Sequence, residues 1–178
     1  DAEDLRLMVA VAQHSSLAVV HHLLQEDLRR NASLTARLLA NFSPKIQERL
    51  LDQARRGRLR LGGEKSEVTV VVTDIRGFTE MSAGMDAEDV VDILNAYFPP
   101  LIDAVFAYDG TIDKLLGDAI LAVFGSPEAD AHHHEKALRA AMAMQPAAQG
   151  LSSARAARRQ AACEIRIGVH CGEVFPGF

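Results

Sequence analysis

The segment VTVVVTDIRGFT at residues 68–79 constrains the fold of this chain more than any other stretch. A run of β-branched apolar residues such as 70–72 is typical of a strand buried in a sheet. The run ends on one carboxylate, Asp74, and the chain then turns through Gly77. An aspartate in this position is either an exposed turn residue or a ligand held at the end of the strand.

Five further elements follow this strand in an order that defines the fold class. The apolar pattern, caps and turn residues predict a helix over 86–108, strands over 111–116 and 119–124, a helix over 130–148 and a strand over 163–170. A polar loop is predicted over 149–161, and Gly117-Asp118 is predicted to be the tip of the hairpin. The order strand–helix–strand–strand–helix–strand is that of a ferredoxin-like, palm-type α+β sheet (βαββαβ).

The first part of the chain has a helical composition. Residues 5–52 contain a single Gly or Pro, Pro44, and apolar residues recur in steps of three and four from Leu17 to Phe42. This stripe predicts a long N-terminal coiled-coil helix, although a helix packed on its own domain has the same periodicity. Ser43 and Pro44 predict the cap and first residue of a second helix that runs to about residue 54. We therefore divide the chain into a helical segment (1–56), a basic, glycine-containing linker (57–66) and a sheet domain (67–178).

Two carboxylates stand at the ends of otherwise apolar strands. Asp74 ends the first strand and Asp118 lies at the hairpin tip. We expect the first strand to lie beside the first strand of the hairpin, so that the two tips converge. Carboxylates brought together repel each other, and a divalent cation such as Mg²⁺ between them removes that cost. The turn at Gly77 can present successive backbone N–H groups to a phosphate.

Each of these residues also has a simpler interpretation. An aspartate at a strand end or a hairpin tip is more often only a turn residue. Lys114, four residues before Asp118, could donate to a polar ligand over the sheet or be a solvated residue at an edge.

The composition disfavours several classes of partner. A formal net charge of −5 and the absence of Trp argue against a nucleic-acid-binding surface. Cys163 and Cys171 form neither a metal-ligand spacing nor a disulfide framework, so we expect a reduced, cytoplasmic setting. We expect no membrane-spanning segment and, because the first residue is not Met, a piece of a longer protein. The run His132-His133-His134 is interpreted as a solvated first turn, since consecutive helical residues point in different directions.

Three motifs, in the same order and spacing, resemble the catalytic domain of class III adenylate and guanylate cyclases. They are VVVTDIRGFTEMS (70–82), GTIDKLLGDAILAVFG (110–125) and IRIGVHCGEV (165–174). The resemblance covers residues 64–178, which correspond to all but the last third or so of such a domain. The segments at 7–28 and 41–51 more weakly resemble the closing helix of a GAF-type sensory domain with its signalling helix, and the short element that precedes cyclase domains.

The resemblance implies a role for particular residues. Asp74 and Asp118 match the catalytic, metal-binding aspartates, with the Ile75 carbonyl as a further metal ligand. Lys114 matches the base-selecting position, where Lys is typical of adenylate cyclases and Glu of guanylate cyclases. The family's phosphate-binding segment matches Ile75, Arg76, Gly77, Phe78 and Thr79. Gly117, which precedes the second aspartate, matches a further substrate-binding position.

The implied activity is that of an adenylate cyclase, a phosphorus–oxygen lyase of intracellular signal transduction that converts ATP to cyclic AMP and pyrophosphate. The resemblance implies two Mg²⁺ or Mn²⁺ ions per site. It also implies a homodimer whose sites combine Asp74 and Asp118 of one chain with Lys114 of the other.

The sequence also departs from the family pattern. It ends before the family's base-binding Asp or Thr and before the later Asn and Arg that stabilise the transition state. We therefore expect residues 1–178 alone to have little or no cyclase activity, and a catalytically silent, dimerising or nucleotide-binding regulatory module is the alternative. A diguanylate cyclase is disfavoured because its Gly-Gly-acidic hairpin is replaced by Leu116-Gly117-Asp118.

Overall fold

The computed structural model describes residues 39–58 and 65–175, together with scattered positions between 22 and 36 that are helical. The predicted coiled coil at the N-terminus lies outside the described residues. Contacts divide the chain into two units, residues 1–40 and residues 41–178. The second unit contains the sheet and everything described below.

A four-stranded antiparallel sheet forms the centre of the second unit, and its element order is the predicted βαββαβ order. The strands lie in the order β2-β3-β1-β4, and every neighbouring pair is antiparallel. The elements are α1 (Pro44–Arg55), β1 (Ser66–Ile75), α2 (Phe78–Ser82), α3 (Ala87–Ala107), β2 (Thr111–Leu116), β3 (Ala119–Phe124), α4 (His133–Ala157) and β4 (Ile165–Val174). The predicted α+β fold class is thus confirmed.

The position of the hairpin in the sheet differs from the prediction. Strand β1 pairs with β3, the second strand of the hairpin, and β2 lies at the edge. The reason is composition: β3 (AILAVF) is apolar throughout and suits an interior position between two strands. Strand β2 exposes its last four residues, which include Asp113 and Lys114, and charged residues of this kind are tolerated at a sheet edge.

Helices α3 and α4 contribute to a single apolar core with one face of the sheet. Residues buried in this core from β1, β3 and α4 include Val71, Ile120, Phe124 and Met144. Among the helices that the structure describes, α3 alone is long and apolar enough to cross a membrane, by length and composition only. An apolar stretch of this length was not predicted from the sequence. In this fold its apolar side contributes the buried residues Ile93, Tyr97, Leu101 and Val105 to the core.

Helix α4 is longer than predicted, because it continues to Ala157 through the predicted loop at 149–161. Tertiary contacts hold its last turns in place. The Tyr97 hydroxyl lies 2.8 Å from Ser152 Oγ and accepts a 2.7 Å hydrogen bond from the Cys163 backbone N–H. Farther along, Arg155 Nε donates to the Ala161 carbonyl over 2.7 Å. The contacts of Tyr97 are with residues distant in sequence, and together with the local Arg155 bond they override the Gly and Ser content of the segment.

Helix α1 begins as predicted and lies in the same unit as the sheet. Ser43 caps it by accepting a bond from the Ile46 N–H, and Pro44 occupies the first turn. The preceding residues extend the sheet edge, since Phe42 forms a β-bridge with Thr111. The sequence suggested a domain boundary at 57–66, whereas the contacts divide the chain between residues 40 and 41.

A group of four charged residues joins α1, α4 and the turn before β2. In this Asp109 cluster (Lys45, Asp109, Asp130 and Lys136), Asp109 Oδ2 accepts hydrogen bonds from Lys45 Nζ (2.7 Å) and Lys136 Nζ (2.8 Å). Burial raises the pKa of Asp109, but the bonds from the two lysines outweigh it and hold the pKa below its ordinary value of 3.8. The hydrogen bonds that Lys136 donates to Asp109 and Asp130 raise the pKa of Lys136.

The second face of the sheet carries apolar residues that remain accessible. Cross-strand pairing aligns Lys114, Leu121, Val72 and Gly168 on this open face. Val72 is 42% exposed, and Leu116 on the same face is 54% exposed. A sheet face with exposed apolar residues of this size is a candidate surface for association.

Candidate active site

The two aspartates singled out in the sequence lie at the same end of the sheet. Asp74 is the penultimate residue of β1 and pairs with Ala119 at the start of β3. Asp118 immediately precedes Ala119, in the two-residue turn of the β2-β3 hairpin. Gly117, the other turn residue, has φ 63°, a left-handed conformation that glycine adopts without strain. It is β3, and not β2 as expected, that brings the two carboxylates to one place.

An open cleft of about 440 Å³ lies between these two strand ends. It is lined by Asp74, Ile75, Gly77, Phe78, Thr79, Glu80, Asp118, Ala119 and Arg166. Three of these side chains are carboxylates and one is a guanidinium, so the cleft carries excess negative charge. A hard divalent cation fits this donor set, because it prefers carboxylate and carbonyl oxygen.

The turn after Asp74 forms a short helix that opens toward the cleft. Gly77 has φ 70° and precedes α2, whose first residue is Phe78. Gly77 offers no side-chain cap, so the first N–H groups of α2 lack intrahelical acceptors. Gly77, Phe78 and Thr79 all line the cleft. Backbone donors of this kind suit a phosphate, whereas the Glu80 carboxylate in the same turn opposes a free anion.

Arg166 and Glu80 are the charged residues of the cleft that were not predicted from the sequence. Arg166 lies directly opposite Asp74 on β4, and its guanidinium pairs with both oxygens of that carboxylate: Nε–Oδ1 is 2.9 Å and Nη2–Oδ2 is 3.1 Å. The motif IRIGVHCGEV contains this arginine, and an Arg within an otherwise apolar stretch of strand was the available signal. Its partner could not be deduced, since the register of β4 against β1 is a property of the fold.

Three residues predicted to bind substrate do not line this cleft. The Arg76 guanidinium donates to Glu164 over 2.8 Å. Gly117 contributes only to the hairpin turn. Lys114 lies on edge strand β2, with Nζ 3.2 Å from the carboxylate of its neighbour Asp113. One strand separates β2 from β1, so the Lys114 backbone is roughly 10 Å from that of β1.

Comparison with known proteins connects this geometry to a family. The chain matches the family model of the adenylate and guanylate cyclase catalytic domain over residues 62–178. It is 37% identical over 113 residues to adenylate cyclase 1 of Rhizobium meliloti (strain 1021), a match that covers 64% of this chain and 17% of that protein.

Two solved structures are similar in fold and sequence. The guanylyl cyclase Cya2 is 34% identical with a TM-score of 0.62, over 66% of this chain and 59% of that one. The adenylyl cyclase CyaB from P. aeruginosa is 33% identical with a TM-score of 0.58, over 62% of this chain and 58% of that one. The chain therefore spans less than two thirds of the length of each of these relatives, and their names include both nucleotide specificities.

Proposed function

The chain belongs to the adenylate and guanylate cyclase catalytic domain family, and from that premise we propose that its cleft binds a divalent metal and the phosphates of ATP for conversion to cyclic AMP. The observation that carries the proposal is the placement of Asp74 and Asp118 at one cleft beside an uncapped helix start.

Asp74 and Asp118, with the backbone carbonyl of Ile75, would hold Mg²⁺ or Mn²⁺. When bound, such ions lower the pKa of the attacking ribose hydroxyl and neutralise charge on the pyrophosphate. The contribution of the chain is to hold two carboxylates at fixed strand ends, so that no reorganisation is needed when substrate arrives. The first N–H groups of α2, at Phe78 and Thr79, supply donors for phosphate oxygens.

Arg166 has a different role in the free and loaded states of the proposed site. Without metal, its guanidinium neutralises Asp74. If Asp74 held a divalent cation, its oxygens would no longer be available to Arg166, and the guanidinium would be released from the carboxylate. Arg166 lines the cleft, so a released guanidinium can pair bidentately with a phosphate oxygen pair. Arg166 would thus neutralise Asp74 in the free site and a substrate phosphate in the loaded site.

ATP is the proposed substrate, and a second copy of the chain is the proposed partner. Lys114 resembles the base-selecting lysine of adenylate cyclases. Its position on the edge strand β2 suits contact with a nucleotide bound in a partner's cleft rather than in its own. The open face of the sheet, with exposed Val72 and Leu116, offers an apolar surface for that partner.

Selectivity of nucleotide binding tests this proposal. With Mn²⁺ present, the chain is expected to bind ATP at least about tenfold more tightly than GTP, and Lys114→Glu to reverse the order, because an acceptor replaces a donor at the base. Lys65→Glu, the same charge change outside the cleft and the open face, is the control and should leave the order unchanged. Equal affinities for ATP and GTP, or an unchanged order in Lys114→Glu, would contradict the substrate assignment.

A further inference from the structure

A second group of potential metal ligands lies at the opposite end of β1 from the cleft. Glu67 is the second residue of β1, and His133 and His134 are the first two residues of α4. One carboxylate oxygen and one nitrogen from each imidazole lie within 4.8 Å of one another. Glu67 and Asp74 are seven positions apart along β1, which is a distance of roughly 24 Å. The two sites are therefore independent.

The histidine pair does not have the geometry that the sequence predicted. His133 is buried, with 5% of its surface exposed, so the interpretation of all three histidines as a solvated turn is wrong for this one. The two ring centroids are 3.8 Å apart and the rings meet edge to face. His133 is buried and reaches Thr69 on β1, His134 is exposed, and the two rings nevertheless approach each other through their Nδ1 atoms.

The nitrogen atoms are arranged as ligands of one ion would be. Nδ1 of His133 lies 3.1 Å from Nδ1 of His134 and 2.8 Å from the hydroxyl of Thr69. A ring nitrogen offers one hydrogen or one lone pair, so it cannot satisfy both neighbours at once. Two nitrogens bound to one tetrahedral Zn²⁺ at the usual bond length are about 3.3 Å apart. The observed separation is close to that value. A shared cation would use the Nδ1 lone pairs of both rings, and the Thr69 hydroxyl would then lose its bond to His133 Nδ1.

The surrounding charge also favours a cation. Glu67 Oε1 lies 3.8 Å from Nε2 of His134, and Glu173 faces Glu67 directly across the strands. Like charges opposite each other on a sheet are destabilising, and a nearby cation offsets the cost. Lys65 neutralises Glu173, whereas among the residues that the structure describes the one ion pair of Glu67 is the long contact with His134. These carboxylates oppose the positive potential of the start of α4, which would otherwise disfavour a cation.

We propose that Glu67, His133 and His134 form a binding site for a divalent transition metal, with Zn²⁺ the ion that the ligand set fits best. Two imidazoles and one carboxylate select borderline metals over Mg²⁺. With three protein ligands, the fourth position is left for water. The metal would join the start of β1 to the start of α4 and fix the ring of the buried histidine. The site would be structural, since it is distant from the cleft and its ligands come from two elements of the same core.

Titration of the full chain with Co²⁺ tests the proposal, because tetrahedral Co²⁺ with nitrogen ligands absorbs visible light far more strongly than Co²⁺ in an octahedral oxygen site. The expected result is one strongly absorbing Co²⁺ per chain, which Zn²⁺ displaces. His134→Ala should weaken this binding by at least about tenfold, and Glu67→Gln should also weaken it. Both side chains are exposed, so these variants are expected to fold, which circular dichroism verifies.

His132→Ala is the matched control, since His132 is an exposed histidine of the same run outside the cluster. It should retain the wild-type spectrum and affinity. The double variant Asp74→Asn/Asp118→Asn should retain them too, and this result separates the site from the cleft. Saturating Zn²⁺ should raise the melting temperature of wild type by about 5 °C or more, and not that of His134→Ala. The proposal is overturned if wild type shows no saturable tetrahedral spectrum, or if His134→Ala binds as tightly as His132→Ala.

Discussion

Replacement of Arg166 by Gln should tighten the binding of free Mn²⁺, although it removes a residue of the proposed active site. In the structure the guanidinium makes two bonds, of 2.9 and 3.1 Å, to the carboxylate of Asp74. A metal that uses Asp74 has to displace these bonds. Gln keeps the approximate length and polarity of the side chain and removes its charge, so the competition for the carboxylate is lost.

The expected size of the effect follows from the exposure of the pair. The Arg166 and Asp74 side chains are 66% and 35% exposed, so solvent screens their attraction. Two unit charges 3 Å apart in water attract by about 1.4 kcal/mol, before the entropy cost of fixing the arginine is subtracted. Exposed pairs contribute up to about 1 kcal/mol in practice. A release of about 0.5–1 kcal/mol corresponds to about two- to fivefold tighter Mn²⁺ binding.

Water-proton relaxation in a Mn²⁺ titration at low ionic strength measures this affinity. Arg76→Gln is the matched control, because Arg76 is 67% exposed and pairs with Glu164 outside the cleft. It removes the same charge and should change the affinity little. With ATP present the sign should reverse, and Arg166→Gln should bind Mn²⁺·ATP more weakly than wild type. The reasoning is refuted if Arg166→Gln binds free Mn²⁺ no better than Arg76→Gln.

Two predictions concern the stability of the fold. Gly110→Ala should cost about 1–3 kcal/mol in urea unfolding, because a methyl group there would lie 2.5–2.7 Å from buried atoms of Val105 and Phe124, whereas Gly84→Ala, with no atom within 4 Å, should cost far less. The lowered pKa of Asp109 means that its cluster stabilises the chain above about pH 4, and that this stability is lost as the pH falls through the folded-state pKa. Asp109→Asn should therefore be less stable than wild type at pH 7, and this difference should shrink as the pH falls below the ordinary aspartate pKa of 3.8. A difference that does not change with pH would contradict the assignment.

The sequence predicted the order of the elements because each carries a local signal. Ser43 and Pro44 begin a helix where the capping rules place it, and the short apolar run of β3 and the valines of β1 identify strands. Strand β2 was wrongly predicted to lie beside β1, where the structure has β3. Local patterns do not show which strand of a hairpin occupies the interior of the sheet. The charged residues of β2 were the available indication, because they disfavour an interior strand.

The candidate site was predicted in part for the same reason. Asp74, Asp118 and Gly77 stand out by their position at strand ends and in a turn, and the structure brings all three near one cleft. The contact between Arg166 and Asp74 depends on the register of two strands that are ninety-two residues apart, as the pair of hydrogen bonds records. The burial of His133 likewise depends on packing of α4 against β1, and no short-range pattern encodes it.

Mn²⁺ affinity tests the proposed site most directly. Wild type, Asp118→Asn and Asp113→Asn are each titrated with Mn²⁺, and the free ion is measured by its electron paramagnetic resonance signal. Asp118 lines the cleft, whereas Asp113 is an exposed aspartate of the same hairpin outside it. Removal of a ligand charge from a two-carboxylate site should weaken Mn²⁺ binding by at least about tenfold. The account predicts that loss for Asp118→Asn and wild-type affinity for Asp113→Asn, in the presence and absence of ATP. Equal affinities in all three proteins would contradict it.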